Sequence, residues 1–176
     1  LKGSERFQKY LASGFKTPTE KVELALSRAD KFKLPPLPRL AVPEDDPEYP
    51  LILTSAKDRY YLHSSYRWVE KLRKHSPRPL MEIHPETAGR YGIGEGDEVR
   101  IETRAGAITQ FAHLSEKIRP DAVYAAYGWW FPEGKAENQY EWQNANYNML
   151  TSADTLGKEF GTPNLKGLRC RIRRQV

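Results

Sequence analysis

Prolines crowd one short stretch in the first half of this 176-residue chain. Six fall within sixteen positions: Pro35, Pro36, Pro38, Pro43, Pro47 and Pro50. Because each proline lacks an N–H donor and fixes φ, this density excludes a helix or a central strand there. We therefore expect an extended surface connector that carries a solvated acidic patch at 44–48. The connector ends a first segment, residues 1–48, and precedes a domain at 49–176.

Composition narrows the class of protein. Lys and Arg total 28 against 23 Asp and Glu, and the resulting charge of +5 is spread along the chain, which gives little support to nucleic-acid binding. No apolar run is long enough for a spanning helix, so we expect no membrane insertion by this chain. The single cysteine, Cys170, excludes a disulfide, a cysteine-based zinc site and an iron–sulfur cluster held by this chain alone.

Two patterns conflict within residues 17–26. Thr17 and Glu20 have the spacing of a helix capping box, whereas every second residue from 22 to 26 is apolar, as in a strand. We favour a strand at 21–26, followed by a helical turn at 27–32.

After the connector, short apolar segments alternate with turn residues. The pattern predicts two short helices, one at 64–75 capped by Ser64 or Ser65 and one from His84 to Gly92. Strands are predicted at 50–54, 80–83, 98–103, 107–114, 122–130 and 168–173. Six short strands with so little helix suit a small β-barrel better than a doubly wound sheet.

Patterns that mark catalytic or metal sites are missing. Gly92, Gly94 and Gly96 follow a helix and precede a strand, the reverse of the order in a dinucleotide fingerprint, so we interpret them as turn glycines. The four histidines lack the i, i+4 spacing and the acidic companion of a metal-binding helix. Cys170 lies on an alternating segment, which favours a packed core thiol. We assign no catalytic and no metal-ligating residue to this chain.

Two polar clusters suggest ligand binding. The first runs from Thr54 through Ser55 to Lys57 and continues at 63–67, where hydroxyl groups and cations surround a predicted helix start. Such a cluster suits an anionic ligand or an ordinary helix cap equally well. The second is the segment 144–151, whose asparagines alternate and are flanked by aromatic residues. Buried amides without partners are unfavourable, so these asparagines either contact a ligand or lie on a surface loop.

Taken in order, these motifs resemble the C-terminal part of the molybdopterin oxidoreductase family of the dimethyl sulfoxide reductase type. The resemblance covers nearly the whole chain. Its matching segments are GFKTP at 14–18, YPLILT at 49–54, HSSYR at 63–67, EIHP at 82–85, GIGEGDEV at 92–99, RAG at 104–106, GWW at 128–130, NYNMLT at 146–151 and PNLK at 163–166.

The resemblance implies a mainly β fold, a double-psi β-barrel with short helices, that binds molybdopterin guanine dinucleotide with molybdenum or tungsten. Hydroxyl and amide side chains suit the edge of a pterin ring, and cations suit its phosphates. The cofactor-binding residues expected from the resemblance are Thr54, Ser55, Lys57, His63, Ser64, Arg67, Asn146, Asn148 and Lys166. In this family the metal ligand and the iron–sulfur cluster lie in preceding domains, so we expect the fragment alone to be inactive.

The expected partners are the remaining domains of the same polypeptide and an electron-transfer subunit, in a prokaryotic type of enzyme that is cytoplasmic or periplasmic. Residues 1–48 are then the tail of a preceding domain and its connector. Two other readings remain: a stand-alone basic barrel that binds a protein partner or nucleic acid, and a separately encoded small subunit. Neutral amides and hydroxyls at the two polar clusters argue against nucleic acid, which favours Lys, Arg and exposed aromatic side chains on one face.

Overall fold

The computed structural model describes residues 7–37, 44–157 and 161–175. The chain divides into two compact units, Leu1–Val42 and Pro43–Val176. None of the helices formed by the described residues has the length and apolar character needed to cross a bilayer.

The described part of the first unit, residues 7–37, contains one regular element. A 3-10 helix spans Ala29–Phe32, which confirms the predicted helical turn. The strand predicted at 21–26 is wrong, since these residues form bends and turns and Leu24 is 86% exposed. No neighbouring strand is present among residues 7–37, and a strand without a partner leaves its backbone groups unpaired.

The second unit is built from the six strands predicted after the connector. Only the strands predicted at 80–83 and 107–114 have both of their predicted ends. The largest differences are that the first strand runs to Ala56 rather than to 54, the fifth stops at Ala126 rather than at 130, and the sixth begins at Lys166 rather than at 168. The strands are β1 Leu51–Ala56, β2 Leu80–Ile83, β3 Glu98–Glu102, β4 Ala107–Leu114, β5 Ala122–Ala126 and β6 Lys166–Arg174.

These strands close into one barrel in the order β1-β5-β2-β4-β3-β6. The β1–β5 and β2–β4 pairs are parallel, and the other four pairs are antiparallel. The predicted hairpin of β3 and β4 is confirmed by the register from Glu98 opposite Phe111 to Glu102 opposite Ala107. The prediction of a mainly β fold, a double-psi barrel with short helices, is confirmed.

The barrel interior follows the two-residue period of its strands. Val99 and Ile101 of β3 are fully buried, as are Ile108, Gln110 and Ala112 of β4. Leu114, in phase with Ile108, packs against the same core, whereas Phe111 lies on the other face, because in a strand only every second side chain faces the same side. Gln110 is a polar side chain in an otherwise apolar interior.

Cys170 lies in this interior, opposite Leu51 in the β1–β6 pair. Its side chain is fully buried, which confirms the predicted core thiol. Burial raises the pKa of the thiol to about 12. Because only the thiolate reacts with disulfide reagents, this thiol is chemically silent in the folded chain.

An exchange reagent such as Ellman's reagent should therefore detect no thiol in the native chain and one thiol after denaturation. The raised pKa lowers the thiolate fraction near neutral pH by roughly 1000-fold. Rapid labelling of Cys170 without denaturant would show that the β1–β6 pair opens readily.

Two α-helices lie outside the barrel. α2 spans Pro85–Arg90 as predicted, with proline at its start and the His84 ring accepting from the Glu86 N–H at 3.2 Å. α1 spans Glu70–His75, so the predicted start at Ser64 is six residues too early. The residues before it cannot continue a helix, because Tyr66 adopts a left-handed φ of 71°.

The acidic segment at 44–48 is bound by arginines rather than simply solvated. Asp46 accepts from Arg104 at 2.8 Å, and Arg171 of β6 donates to Glu48 at 3.1 Å. The guanidinium of Arg104 lowers the pKa of Asp46. Acidic residues at the start of the unit thus contact the β3–β4 turn and the closing strand.

Candidate functional site

One edge of the barrel gathers most of the predicted site residues. Parallel strands β1 and β5 both end there, and β6, antiparallel to β1, begins there. Thr54 of β1 lies between Tyr124 of β5 and Lys166 of β6 in the register. Carboxyl ends of parallel strands carry the loops that hold ligands in many folds.

His63 and Ser64 lie on a tight turn at the same edge. The Ser65 N–H donates to the Leu62 carbonyl at 2.9 Å and closes the turn. The His63 ring lies edge-on against Tyr127, just beyond the end of β5, with ring centroids 5.8 Å apart. Both predicted side chains are exposed. A turn closed by its own backbone therefore presents an imidazole and a hydroxyl to solvent.

Gly128 allows this turn to approach the end of β5. A Cβ on Gly128 would lie 3.1 Å from the His63 carbonyl carbon and 3.2 Å from the Ser64 nitrogen. The residue also has a φ of 67°, a left-handed conformation that glycine adopts more readily than residues with a Cβ. Both constraints point to glycine at this position.

The two predicted asparagines have different environments. Asn146 is buried, donates from Nδ2 to the Trp129 carbonyl at 3.0 Å, and accepts at Oδ1 from the Asn148 N–H at 3.1 Å. Asn148 is exposed, and its amide group has no hydrogen-bond partner among the described residues. Asn146 therefore shapes the segment, while Asn148 is available to a ligand.

Three further side chains fix the segment around Asn148. Gln110 donates to the Ala145 carbonyl at 2.9 Å, Thr103 donates to the Leu150 carbonyl at 2.9 Å, and the Tyr147 hydroxyl donates to the Leu165 carbonyl at 2.9 Å. Burial raises the pKa of Tyr147, so its hydroxyl stays protonated and keeps donating. The segment is held on both sides of its exposed amide.

Gln110 supports the candidate site and was not singled out from the sequence. Besides the bond to Ala145, its amide donates to the Ala126 carbonyl at 3.0 Å and accepts from the Ala126 N–H at 2.8 Å. It thus joins β4, the end of β5 and the Asn148 segment. The sequence feature that could have revealed it is a single amide side chain on the same face of a predicted strand as Ile108 and Ala112.

Arg67, which the resemblance predicts as a cofactor-binding residue, lies in the interior. It is fully buried, with Nε donating to the Gly128 carbonyl at 3.2 Å and Nη2 donating to the His63 carbonyl at 3.2 Å. Its guanidinium lies 4.3 Å from the Tyr61 ring centroid and 4.0 Å from that of Trp129. Burial lowers its pKa to about 10, so it remains charged at neutral pH. Arg67 holds the His63 turn from beneath.

Lys57 is also separated from the other predicted residues. It lines a surface cavity of about 310 Å³ together with Asp58, Tyr60 and His75, and none of the other eight predicted residues lines it. Among the described residues, no group of three His, Cys, Asp or Glu side chains is arranged to hold a metal ion.

Comparison with known proteins identifies the family. A family model described as the molydopterin dinucleotide binding domain matches residues 51–169, which includes the whole barrel up to the middle of β6. The chain belongs to this family. It is thus a molydopterin dinucleotide binding domain, and the alternative of a stand-alone barrel for a protein partner or nucleic acid is not favoured.

Relatives of known function are much longer. The chain is 36% identical over 126 residues to dopamine dehydroxylase of Eggerthella lenta, covering 71% of this chain and 12% of that protein. It is 30% identical over 168 residues to acetylene hydratase of Syntrophotalea acetylenica, covering 88% of this chain and 23% of that protein. The solved structure of acetylene hydratase from Pelobacter acetylenicus matches with a TM-score of 0.82 at 29% identity, over 92% of this chain and 24% of that chain. The chain therefore spans a quarter or less of these relatives.

The donor set at the barrel edge fits a pterin dinucleotide. An exposed amide, a hydroxyl and an imidazole can bond the edge of a fused ring system, and the Lys166 ammonium can bond a phosphate. These groups lie on a turn and a segment that the barrel holds in place.

Proposed function

We propose that residues 49–176 bind the dinucleotide cofactor at the barrel edge where β1 and β5 end, within a larger molybdenum or tungsten oxidoreductase. Residues 1–48 then belong to the end of a preceding domain and its connector. When bound, the cofactor supplies the redox chemistry of the metal. The residues of this chain bind it and set its orientation.

The observation that carries this proposal is the placement of Asn148. Its amide is exposed and has no partner among the described residues, yet the backbone on both sides of it is anchored by buried hydrogen bonds. An unpaired amide on an anchored segment loses little conformational freedom when it binds a ligand. A solvated loop residue would not need such support.

Other residues at this edge divide into two roles. Thr54, Ser55, His63, Ser64 and Lys166 are proposed to contact the cofactor, since they are exposed or half-buried around the same strand ends. Asn146 and Arg67 are proposed to position the contacting residues, because their polar groups are bonded mainly to backbone carbonyls. Lys57 is proposed as a contact only for the part of the cofactor that extends past β1.

We further propose that the metal ligand, an iron–sulfur cluster and any electron-transfer subunit belong to other parts of the larger protein. The single, buried cysteine supports this, because it supplies no set of thiolates for a cluster. The chain alone is then expected to show no redox activity.

Asn148→Ala in the larger enzyme should weaken cofactor retention by about 5- to 150-fold. The estimate follows from roughly 1 to 3 kcal/mol for a lost buried polar contact, at about 1.4 kcal/mol per tenfold. Bound pterin and metal per chain should be measured during dialysis, beside the wild-type enzyme.

The matched control is Asn144→Ala, which removes an exposed amide four residues earlier. It should release cofactor at the wild-type rate. If Asn148→Ala and the wild type also release cofactor at the same rate and unfold at the same temperature, Asn148 does not contact the cofactor.

A further inference from the structure

Three buried N–H groups around Trp129 lack a hydrogen-bond partner among the described residues. They are Nη1 of Arg67, Nη1 of Arg73 and Nε1 of the Trp129 indole. Nearly all buried donors in folded proteins are paired, so three together are unusual. Two of them belong to guanidinium groups, for which the lack of a partner is least favourable.

The three side chains that carry these donors pack together. The guanidinium carbons of Arg67 and Arg73 lie 4.0 Å and 5.2 Å from the centroid of the Trp129 ring. Both arginines line one surface groove of about 570 Å³, whose walls include Trp68, Pro132 and Glu133. None of the other predicted cofactor-binding residues lines this groove. It is a different surface from the barrel edge described above.

The charges of the groove leave one cation without a counter-ion. Glu133 accepts from Nη2 of Arg73 at 2.5 Å, and Glu70 pairs with Lys74 at 2.8 Å. Arg67 makes no ion pair among the described residues, and its hydrogen bonds go to neutral groups, chiefly the carbonyls of Gly128, His63 and Tyr127. Asp58 acts on Arg67 only at longer range and bonds the Ser76 hydroxyl instead. A fully buried guanidinium without a carboxylate is unfavourable.

We propose that this groove binds the carboxylate of an Asp or Glu side chain that is supplied by the remaining domains of the larger enzyme. A carboxylate is a monoanion, which matches the one uncompensated charge, and its planar pair of oxygens suits guanidinium N–H groups. The inference rests on the proposed function, because it requires this domain to be part of a larger protein.

An exposed aromatic surface beside the groove supports a protein as the source of the carboxylate. Trp68 is 65% exposed and contacts Trp130 at 5.5 Å between ring centroids, and Tyr140 and Pro132 complete a second cleft of about 460 Å³. Trp68 and Pro132 line both the cleft and the groove. An exposed tryptophan beside a buried arginine is typical of the centre of a protein interface. A free anion would leave this surface uncovered.

The first experiment tests the carboxylate site in the purified chain, with sodium acetate as the probe at constant ionic strength. The indole N–H signal of Trp129, assigned by elimination with phenylalanine variants of the other tryptophans, should shift saturably. Arg73→Gln should raise the dissociation constant for acetate by about tenfold or more. Lys71→Gln removes the same charge from the same helix outside the groove and should leave binding unchanged.

A second variant guards against misfolding. Arg73→Lys keeps the charge but loses the planar pair of donors, so it should fold and bind acetate more weakly than the wild type. No saturable shift in the wild-type chain would mean that water satisfies the three donors and would overturn the site. Equal binding of chloride or phosphate would overturn its assignment to a carboxylate.

The second experiment tests the source of the carboxylate in the larger enzyme by hydroxyl-radical labelling and mass spectrometry. Trp68 should be oxidised in the isolated chain and protected in the wild-type enzyme. Arg73→Gln should restore its oxidation in the enzyme, while Lys71→Gln should not. If Trp68 is oxidised equally in the isolated chain and in the enzyme, the remaining domains do not supply the carboxylate. Neither experiment measures cofactor retention, so failure of the Asn148 test leaves both results interpretable.

Discussion

Replacing Gln110 with leucine should destabilise the barrel by about 3 kcal/mol or more. The substitution preserves the approximate size of the side chain but removes three hydrogen bonds at once, two to Ala126 and one to Ala145. Each buried backbone group left without a partner raises the free energy of the folded state by roughly 1 to 3 kcal/mol. Leucine at an apolar interior position offsets part of this loss through its burial.

The change should be measured by denaturant unfolding, with Gln143→Leu as the control at an exposed glutamine. The control should change the free energy of unfolding by about 0.5 kcal/mol or less. Hydrogen exchange should also accelerate locally at 145–150, because Gln110 is one anchor of that segment. Unfolding of Gln110→Leu at the wild-type denaturant midpoint would contradict the role assigned to this amide.

Gly128→Ala should destabilise the second unit by about 2 to 5 kcal/mol. A left-handed φ raises the energy of a residue with a Cβ by roughly 1 to 2 kcal/mol. Overpacking against a fixed neighbour adds a further 1 to 3 kcal/mol or so. The neighbour here is backbone, the His63 carbonyl at 3.1 to 3.2 Å, which Arg67 holds from the other side. The His63 turn must therefore move.

Gly92→Ala separates the contribution of the left-handed φ from that of close packing against the backbone. Gly92 has a φ of 63°, close to that of Gly128, but a Cβ there would meet no atom within 4 Å. Its loss of stability should stay at about 1 to 2 kcal/mol. If both variants lower the free energy of unfolding by the same amount, close packing of the His63 turn on Gly128 does not contribute to stability.

Much of the barrel could be predicted from the sequence because its strands have recognisable local patterns. The run EVRIE at 98–102 alternates between apolar and polar residues, and LMEI at 80–83 is a short, mainly apolar run between Pro79 and Pro85. Such local patterns do not specify pairing partners. The parallel β1–β5 pair joins Leu53 to Val123, and no local pattern indicates this pairing.

The errors share one cause, since each depends on contacts distant in sequence. Val22, Leu24 and Leu26 alternate as a strand would, but no partner strand exists within the described part of their unit. Arginine usually lies at the surface, but Arg67 is buried between Tyr61 and Trp129, a position that joins segments more than sixty residues apart.

The candidate site shows the same limit at finer scale. The alternating asparagines of 144–148 were found as a polar cluster, but nothing local distinguishes Asn146 from Asn148. The difference arises because the Trp129 carbonyl lies within 3.0 Å of one amide and not of the other. Gln110 could have been noticed as an amide on a buried strand face, although its partners at Ala126 and Ala145 could not.

The position of β6 has a consequence for synthesis of the protein. β6 is the strand that pairs with both β1 and β3, and it joins residues as distant as Leu51 and Cys170. Until residues 166–174 have left the ribosome, the nascent chain therefore carries two open strand edges. Open edges recruit strands of other chains, and pairing over such separations is slow. Chaperone binding to the nascent chain should accordingly persist until β6 emerges, and a stop codon shortly before Lys166 should yield aggregates rather than a smaller barrel.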